Sequence, residues 1–338
     1  MMNVCIVGCG AIGPVHALAI EKTESAKLYA VCDLNKERAD ALANKHGVKV
    51  FYDFDEMLHD DNIDSVHICT PHYLHVPMAK KALENGKYVI LEKPAAINFD
   101  ELNELAEYDK KYPHKLGFVL QNRRNERVRV LKDCIEMDED KGGFVGAKAF
   151  HMRSRPPKYY AQDEWRGKWS TEGGGALINQ AVHTLDLLDW LCGGILAVRA
   201  SISTKLLDEC IEVEDTVDVL IDLKNGSRAC FYAVNTYTQN SPVNLEINYE
   251  NVTYRYADEY LYRIRKDCVP EIIAGEKIDV GWKSYWGAGH ADVINSFYNV
   301  MCGKEGEYIS LSDGISSAKA VLAIYESAKN DGKKVYIK

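Results

Sequence analysis

Along the first third of the chain, short apolar runs alternate with longer segments whose apolar positions recur every three or four residues. Asn3–Val7, Lys27–Cys32, Val48–Phe51, Ser65–Thr70, Lys87–Leu91 and Leu116–Leu120 have the length and β-branched content of strands. The stretch from the first glycines to about Glu21, then Asn35–His46, Asp53–His59, His75–Asn85 and Asn98–Lys111, predict helices between them. Strand followed by helix, repeated, means βαβ units and a doubly wound parallel sheet. From about Arg123 the pattern changes. A helix to roughly Met137 leads into Phe144–Arg153, Ile195–Thr204, Val213–Leu223, Arg228–Thr236, Val243–Tyr249 and Asn251–Tyr262. Period-two alternation over Val217–Asp222 and the Asn225-Gly226 turn predict a mostly antiparallel sheet. Helices over Ala176–Cys192 and Ala288–Val300 are expected to cover one of its faces. The fold class is therefore α/β: residues 1–121 form the doubly wound domain, and 122–338 an α+β domain with a large open sheet.

Composition changes this picture little. The 338 residues are 46% hydrophobic and 27% charged, the balance of an ordinary globular protein. With 41 Lys and Arg against 50 Asp and Glu the net charge is −9, a poor match for nucleic acid or an anionic membrane. The glycines and His16 interrupt the apolar stretch Val4–Ile20, so neither a signal peptide nor a membrane span is expected. Ten cysteines include no CxxC pair, and Cys5, Cys32, Cys69 and Cys230 sit in strand-like runs. They read as reduced thiols in a cytoplasmic protein, with no metal site implied.

The chemistry begins at Gly8-Cys9-Gly10-Ala11-Ile12-Gly13. GxGxxG alone is weak evidence, but here it follows a strand, opens a helix and precedes Asp33 at the end of the second strand. In that setting Gly8 makes the tight turn, Gly10 lets the backbone approach a pyrophosphate, and Gly13 permits close packing, while the helix start offers N–H groups to phosphate. Asp33 can accept hydrogen bonds from ribose hydroxyls and repel a 2′-phosphate. NAD is the expected cofactor; Lys36 and Arg38 leave room for NADP. Thr70-Pro71 with His75, and Glu92-Lys93-Pro94, stand at the ends of the fourth and fifth strands, where open parallel sheets bind ligands. Gln121 and Asn122 fall at the domain crossover.

The segments GCGAIG (8–13), CTPHYLH (69–75), LEKPAA (91–96) and GGGALINQAVHTLDLL (173–188) together resemble the glucose–fructose oxidoreductase, inositol dehydrogenase and MocA family, along essentially the whole chain. The resemblance implies an N-terminal NAD(P)-binding Rossmann domain, and a C-terminal domain that holds the substrate and meets a second subunit in a homodimer or homotetramer. It also implies catalytic roles for Lys93 and His183 beside the nicotinamide. Gly173–Gly175 leads into a helix on which Asn179 and His183 are i and i+4, hence on one face. Inositol-dehydrogenase-like members carry aspartate where this chain has Asn179. An amide cannot take a proton at neutral pH, so proton transfer falls to His183 or Lys93, with Asn179 holding a substrate hydroxyl. Asp186 is placed to orient His183.

Three polar–aromatic patches are candidate walls for a sugar, whose ring has apolar faces and a polar rim. They are Arg153–Tyr160, Trp165–Trp169 and Tyr285–His290, from which Tyr159, Trp165, Arg166 and His290 are the expected substrate contacts. The reading is an NAD-dependent dehydrogenase acting on a secondary hydroxyl of a sugar, cyclitol or sugar derivative. NAD-dependent glycoside cleavage by oxidation and elimination, or a non-catalytic cofactor-sensing regulator, are the rival readings. A zinc enzyme built on His183 and Asp186 lacks a third ligand at a recognisable spacing.

Overall fold

A computed structural model describes residues 1–275 and 289–337. The chain divides into two compact units, Met1–Arg124 with Ala288–Ile315, and Asn125–Gly287 with Ser316–Lys338.

In the first unit six strands, β1 (Met2–Val7), β2 (Ala26–Cys32), β3 (Lys49–Phe51), β4 (Ser65–Ile68), β5 (Tyr88–Leu91) and β6 (Leu116–Phe118), form one parallel sheet in the order β3-β2-β1-β4-β5-β6. Helices α1 (Gly13–Ile20), α2 (Lys36–His46), α3 (Phe54–Leu58), α4 (His75–Glu84) and α5 (Phe99–Lys111) link them. The central strands β1 and β4 are buried nearly end to end because helices cover both faces. The strand order reverses between β1 and β4, and at that switch point the carboxyl ends of neighbouring strands open a crevice. The side chains of Asn35, Asp53 and Asn98 cap α2, α3 and α5 by accepting a first-turn N–H.

The second unit opens with α6 (Glu126–Met137), β7 (Phe144–Met152) and a single turn, α7 (Pro157–Tyr160). A π-helix over Ala176–Ala181 runs into α8 (Val182–Leu191). Seven strands follow: β8 (Ile195–Ser203), β9 (Thr216–Leu223), β10 (Arg228–Val234), β11 (Asn244–Tyr249), β12 (Val252–Ala257), β13 (Tyr260–Arg265) and β14 (Glu271–Ala274). After α9 (Gly289–Met301), the chain ends in α10 (Leu311–Lys329) and β15 (Val335–Tyr336). The nine-stranded sheet runs β14-β13-β12-β11-β7-β10-β9-β8-β15, antiparallel except where β10 pairs with β7. α8 packs on β7, and the π-helix on β9 and β10.

Four expectations change. The helix from about residue 288 does not cover the second sheet: α9 packs on α1 and on the short turn Gln121–Arg124 of the first unit. Its inner face is His290, Val293, Ile294, Phe297 and Tyr298, and Asn295 and Asn299 accept hydrogen bonds from Thr23 (2.5 Å) and Ser25 (2.7 Å). Amphipathic spacing reports that a helix has a buried face without saying what buries it; here the helix groups with the first compact unit. Asn251–Tyr262 is not one strand but the hairpin β12–β13, turned at Asp258 and Glu259, both with positive φ. Ala176–Cys192 is not one α-helix. Cys230 lies exposed on the outer face of β10 and does not pack as a core thiol; all ten cysteines are free. Among the described residues no helix is long and apolar enough to cross a membrane.

Candidate functional site

The glycine loop between β1 and α1 is shaped by what lies against it. Gly8 has φ +97°, and a Cβ there would stand 2.5 Å from the Cys69 carbonyl oxygen, while one on Gly13 would stand 2.4 Å from that of Gly8. Neither position accepts a larger residue. Gly10 faces open space, with only Arg38 Nη1 at 3.9 Å from a Cβ built there. Asp33, just past β2, is tied to this loop: Oδ2 accepts the Cys9 N–H at 2.7 Å and Oδ1 that of Asn35 at 2.8 Å. Unlike α2, α3 and α5, α1 has no side-chain cap; Pro14 carries no N–H, and Val15 and His16 donate to the Ile12 carbonyl (3.0 and 3.1 Å), so what this helix start can offer a ligand is the Gly13 N–H and those of the loop before it. Across the loop, Thr70 Oγ1 is buried with no hydrogen-bond partner among the described residues, next to Pro71. An open glycine, an uncapped helix start, an orphaned hydroxyl and a fixed carboxylate fit the pyrophosphate and ribose of a dinucleotide.

Lys93 follows β5, half-buried, and its backbone N–H donates to Glu92 Oε2 at 3.2 Å. The Glu92 carboxylate turns inward, where His16 Nε2 stands 2.9 Å and His290 Nε2 3.6 Å from Oε1. His16 Nδ1 is 2.8 Å from His67 Nδ1, and His67 Nε2 is 2.7 Å from Tyr298 Oη. Burial lowers the pKa of both His16 and His67, so these rings are neutral. Burial alone would raise Glu92, but the imidazoles of His16 and His290 outweigh it and hold the carboxyl well below its usual range. An ionised Glu92 requires His16 to present Nε2–H to it, leaving Nδ1 to accept from His67 Nδ1–H. This buried chain, under the residue that precedes Lys93, was invisible in the sequence because its members lie on β4, β5, α1 and α9.

Two further expected ligand contacts work inside the protein. His75 is buried, with Nδ1 2.7 Å from the Pro94 carbonyl oxygen and Nε2 3.0 Å from that of Thr70. Both ring nitrogens face backbone carbonyls, so the imidazole joins the Thr70 and Pro94 loops. His290 is buried beside Glu92 in the first unit, 3.6 Å from its Oε1. Residues 285–288 of that patch lie outside the described residues. Gln121 and Asn122 are buried in the turn after β6.

The second unit carries the other cluster. Gly174 has φ +155°, and a Cβ there would fall 2.0 Å from Tyr325 Oη; one on Gly175 would fall 2.0 Å from the Glu214 carbonyl oxygen. The triple glycine is thus a close approach of backbone to α10 and to the segment before β9. Glu214, fully buried, receives the N–H groups of Gly175 (2.8 Å) and Leu177 (2.9 Å) and the Tyr325 hydroxyl (3.0 Å), capping the π-helix. Sequence reasoning missed it, since a glutamate 37 residues beyond its partner carries no local signal. π-Helical turns concentrate at functional sites because they re-aim side chains. Here the turn places Asn179, whose Nδ2 donates to the buried Glu172 and lies 3.5 Å from Tyr159 Oη. Asn179 Oδ1 accepts from Gln180 Nε2 at 3.1 Å. Tyr159 Oη also accepts from Arg166 Nη1 at 2.7 Å and Gln180 Nε2 at 3.1 Å. The Arg166 guanidinium lies 4.6 Å from the Tyr159 ring and 4.4 Å from that of Trp165. Tyr159, Trp165, Arg166 and Asn179 therefore do meet, while His183 stands half-buried one residue into α8 and Asp186 is buried on the same helix.

Comparison with known proteins follows the same division. Residues 2–118 match the model of the oxidoreductase family with an NAD-binding Rossmann fold, and residues 131–255 that of the GFO/IDH/MocA C-terminal domain. The myo-inositol 2-dehydrogenase of Thermotoga maritima is 28% identical over 67% of this chain, a match spanning 66% of that enzyme's length. The glucose-6-phosphate 3-dehydrogenase of Bacillus subtilis is 23% identical over 98% of this chain and 97% of its own. Among solved structures, the WlbA dehydrogenase of Bordetella pertussis, in complex with NADH and UDP-GlcNAcA, superposes with a TM-score of 0.84 at 28% identity, covering 100% of this chain and 99% of that one. With family models matching the parallel-sheet domain and much of the large open sheet, the chain belongs to the GFO/IDH/MocA family of NAD-binding oxidoreductases.

Proposed function

We propose that this protein is an NAD-dependent dehydrogenase of a secondary hydroxyl on a sugar, cyclitol or sugar derivative. The observation that carries the reading is the π-helix cluster. A side-chain amide, an aromatic platform and two arginines are gathered around the segment that leads to His183. Such a surface suits a ring with apolar faces and hydroxyl edges. The names of the relatives, enzymes of inositol and glucose 6-phosphate and a structure holding UDP-GlcNAcA, support the same class.

In this reading Gly10, the α1 start, Asp33 and Thr70 hold the dinucleotide, whose chemistry when bound is to accept a hydride from the carbinol carbon. Asn179 Oδ1 accepts the substrate hydroxyl and fixes its direction. Lys93, as a cation, favours the alkoxide that develops as the proton leaves. His183, or Lys93 in its neutral form, takes that proton, because Asn179 has no basic lone pair to offer. Buried Glu92, with its hydrogen bond to the Lys93 backbone, holds the lysine's loop in place. Lys93→Ala and His183→Ala should each lower turnover at least about a hundredfold in an NADH-absorbance screen over polyols, inositols, aldoses and nucleotide sugars. NAD binding, followed by cofactor fluorescence, should persist. Near-wild-type rates in either variant would refute the assignment.

A further inference from the structure

Among the described residues, Arg155 is an arginine of the Asn179 cluster that no carboxylate of that cluster pairs with. It leaves β7 on a short antiparallel bridge, Ser154 with Thr236, and its own N–H donates to the Asn235 carbonyl at 2.8 Å. Its guanidinium is then held from three sides. Nη1 donates to the Ser154 carbonyl (2.9 Å) and Asn240 Oδ1 (2.8 Å), and Nη2 to Gln180 Oε1 (2.7 Å). The Tyr159 ring lies 5.2 Å away. All three acceptors are neutral, and among the described residues no carboxylate pairs with it, while its Nε is buried without a hydrogen-bond partner. Arg166 differs, with Asp163 Oδ2 3.4 Å from its Nε. Glu172, the carboxylate behind Asn179, is taken up by the Asn179 amide and the Gly167 N–H.

Holding a half-buried guanidinium in one place without a counter-charge is unfavourable unless something anionic joins it. Three of its five N–H donors are occupied by neutral groups that fix its orientation, leaving Nε–H and one Nη2–H. Through Gln180 the same guanidinium is linked to Asn179, the residue expected to hold the reacting hydroxyl. We infer that Arg155 recognises an anionic substituent on the substrate, so that the sugar this protein acts on is a sugar acid or a sugar phosphate and not a neutral polyol. The inference rests on the reading of this cluster as a sugar site.

The test compares D-glucose, D-glucuronate and D-glucose 6-phosphate, which share a ring and differ in charge at one end. Calorimetric titration of each into the full-length protein with NAD⁺ present gives affinities that do not depend on turnover. At least one of the anionic sugars should bind ten times more tightly than glucose, and raising the salt concentration should reduce that preference. Which of the two it is separates a carboxylate from a phosphate. Arg155→Gln should abolish the preference, and Arg155→Lys, which keeps the charge with fewer donors and guards against misfolding, should retain part of it. Equal binding of the three sugars, including no binding by any, overturns the inference, as does a preference that survives Arg155→Gln. Anion preference without NADH formation from any sugar would leave this site standing and remove the dehydrogenase reading. NADH formation from glucose bound as well as its acids would do the reverse.

Discussion

Glu214 gives the structure a measurable dependence on pH. It is fully buried, and that burial raises its carboxyl from 4.5 to about 7, against the opposing pull of the Leu177 and Gly175 N–H groups and the Tyr325 hydroxyl. The folded chain therefore keeps a proton that the unfolded chain releases between pH 4.5 and 7. Stability falls as pH rises through that window and levels off above it. The move corresponds to about 3 kcal/mol, since one pKa unit is worth about 1.4 kcal/mol. Glu214→Gln removes the titration while keeping the shape of the protonated acid. At pH 4.5 the variant and the wild type should be nearly equally stable in urea unfolding. By pH 8 the variant should have gained on the wild type by about 3 kcal/mol. Taking the difference between the two proteins at each pH cancels every other titrating group. A difference that stays flat, or moves the other way, would show that Glu214 is ionised throughout and that the cap on the π-helix is a permanent anion.

Two other outcomes bear on the loops. Gly174→Ala should destabilise the fold by about 2–4 kcal/mol in the same assay, because the added methyl meets the buried Tyr325 hydroxyl. Gly226→Ala, also at positive φ but with nothing within 4 Å, should cost only about 1 kcal/mol, and equal costs would remove the packing argument for the triple glycine. Asp33→Ala should weaken NAD⁺ binding at least about tenfold and narrow the preference over NADP⁺, measured by fluorescence titration. Unchanged NAD⁺ affinity would mean that the carboxylate serves only the Cys9 and Asn35 amides.

The sequence alone determined the parallel sheet, the dinucleotide loop and the alternating second sheet, because each is written in neighbouring residues. The β1–Gly8–α1 turn, the Asp33 after β2 and the period-two runs of β9 and β10 are each marked by residue types within a short stretch of chain. Tertiary structure decided the rest. Amphipathic spacing marked α9 as a packed helix, yet only the hydrogen bonds of Thr23 and Ser25 to Asn295 and Asn299 put it on the first unit. Glu92 and His75 read as ligand contacts from their motifs, and folding turned both inward because each meets partners from other elements. The GGG stretch announced a special backbone, but its reason, the Glu214 carboxylate and Tyr325 hydroxyl, arrives from 37 and 147 residues away. Arg155 was one basic residue in a basic loop. Its meaning comes from what the fold sets around it, three neutral acceptors and, among the described residues, no carboxylate, and charge compensation is a property of space that a linear pattern does not carry.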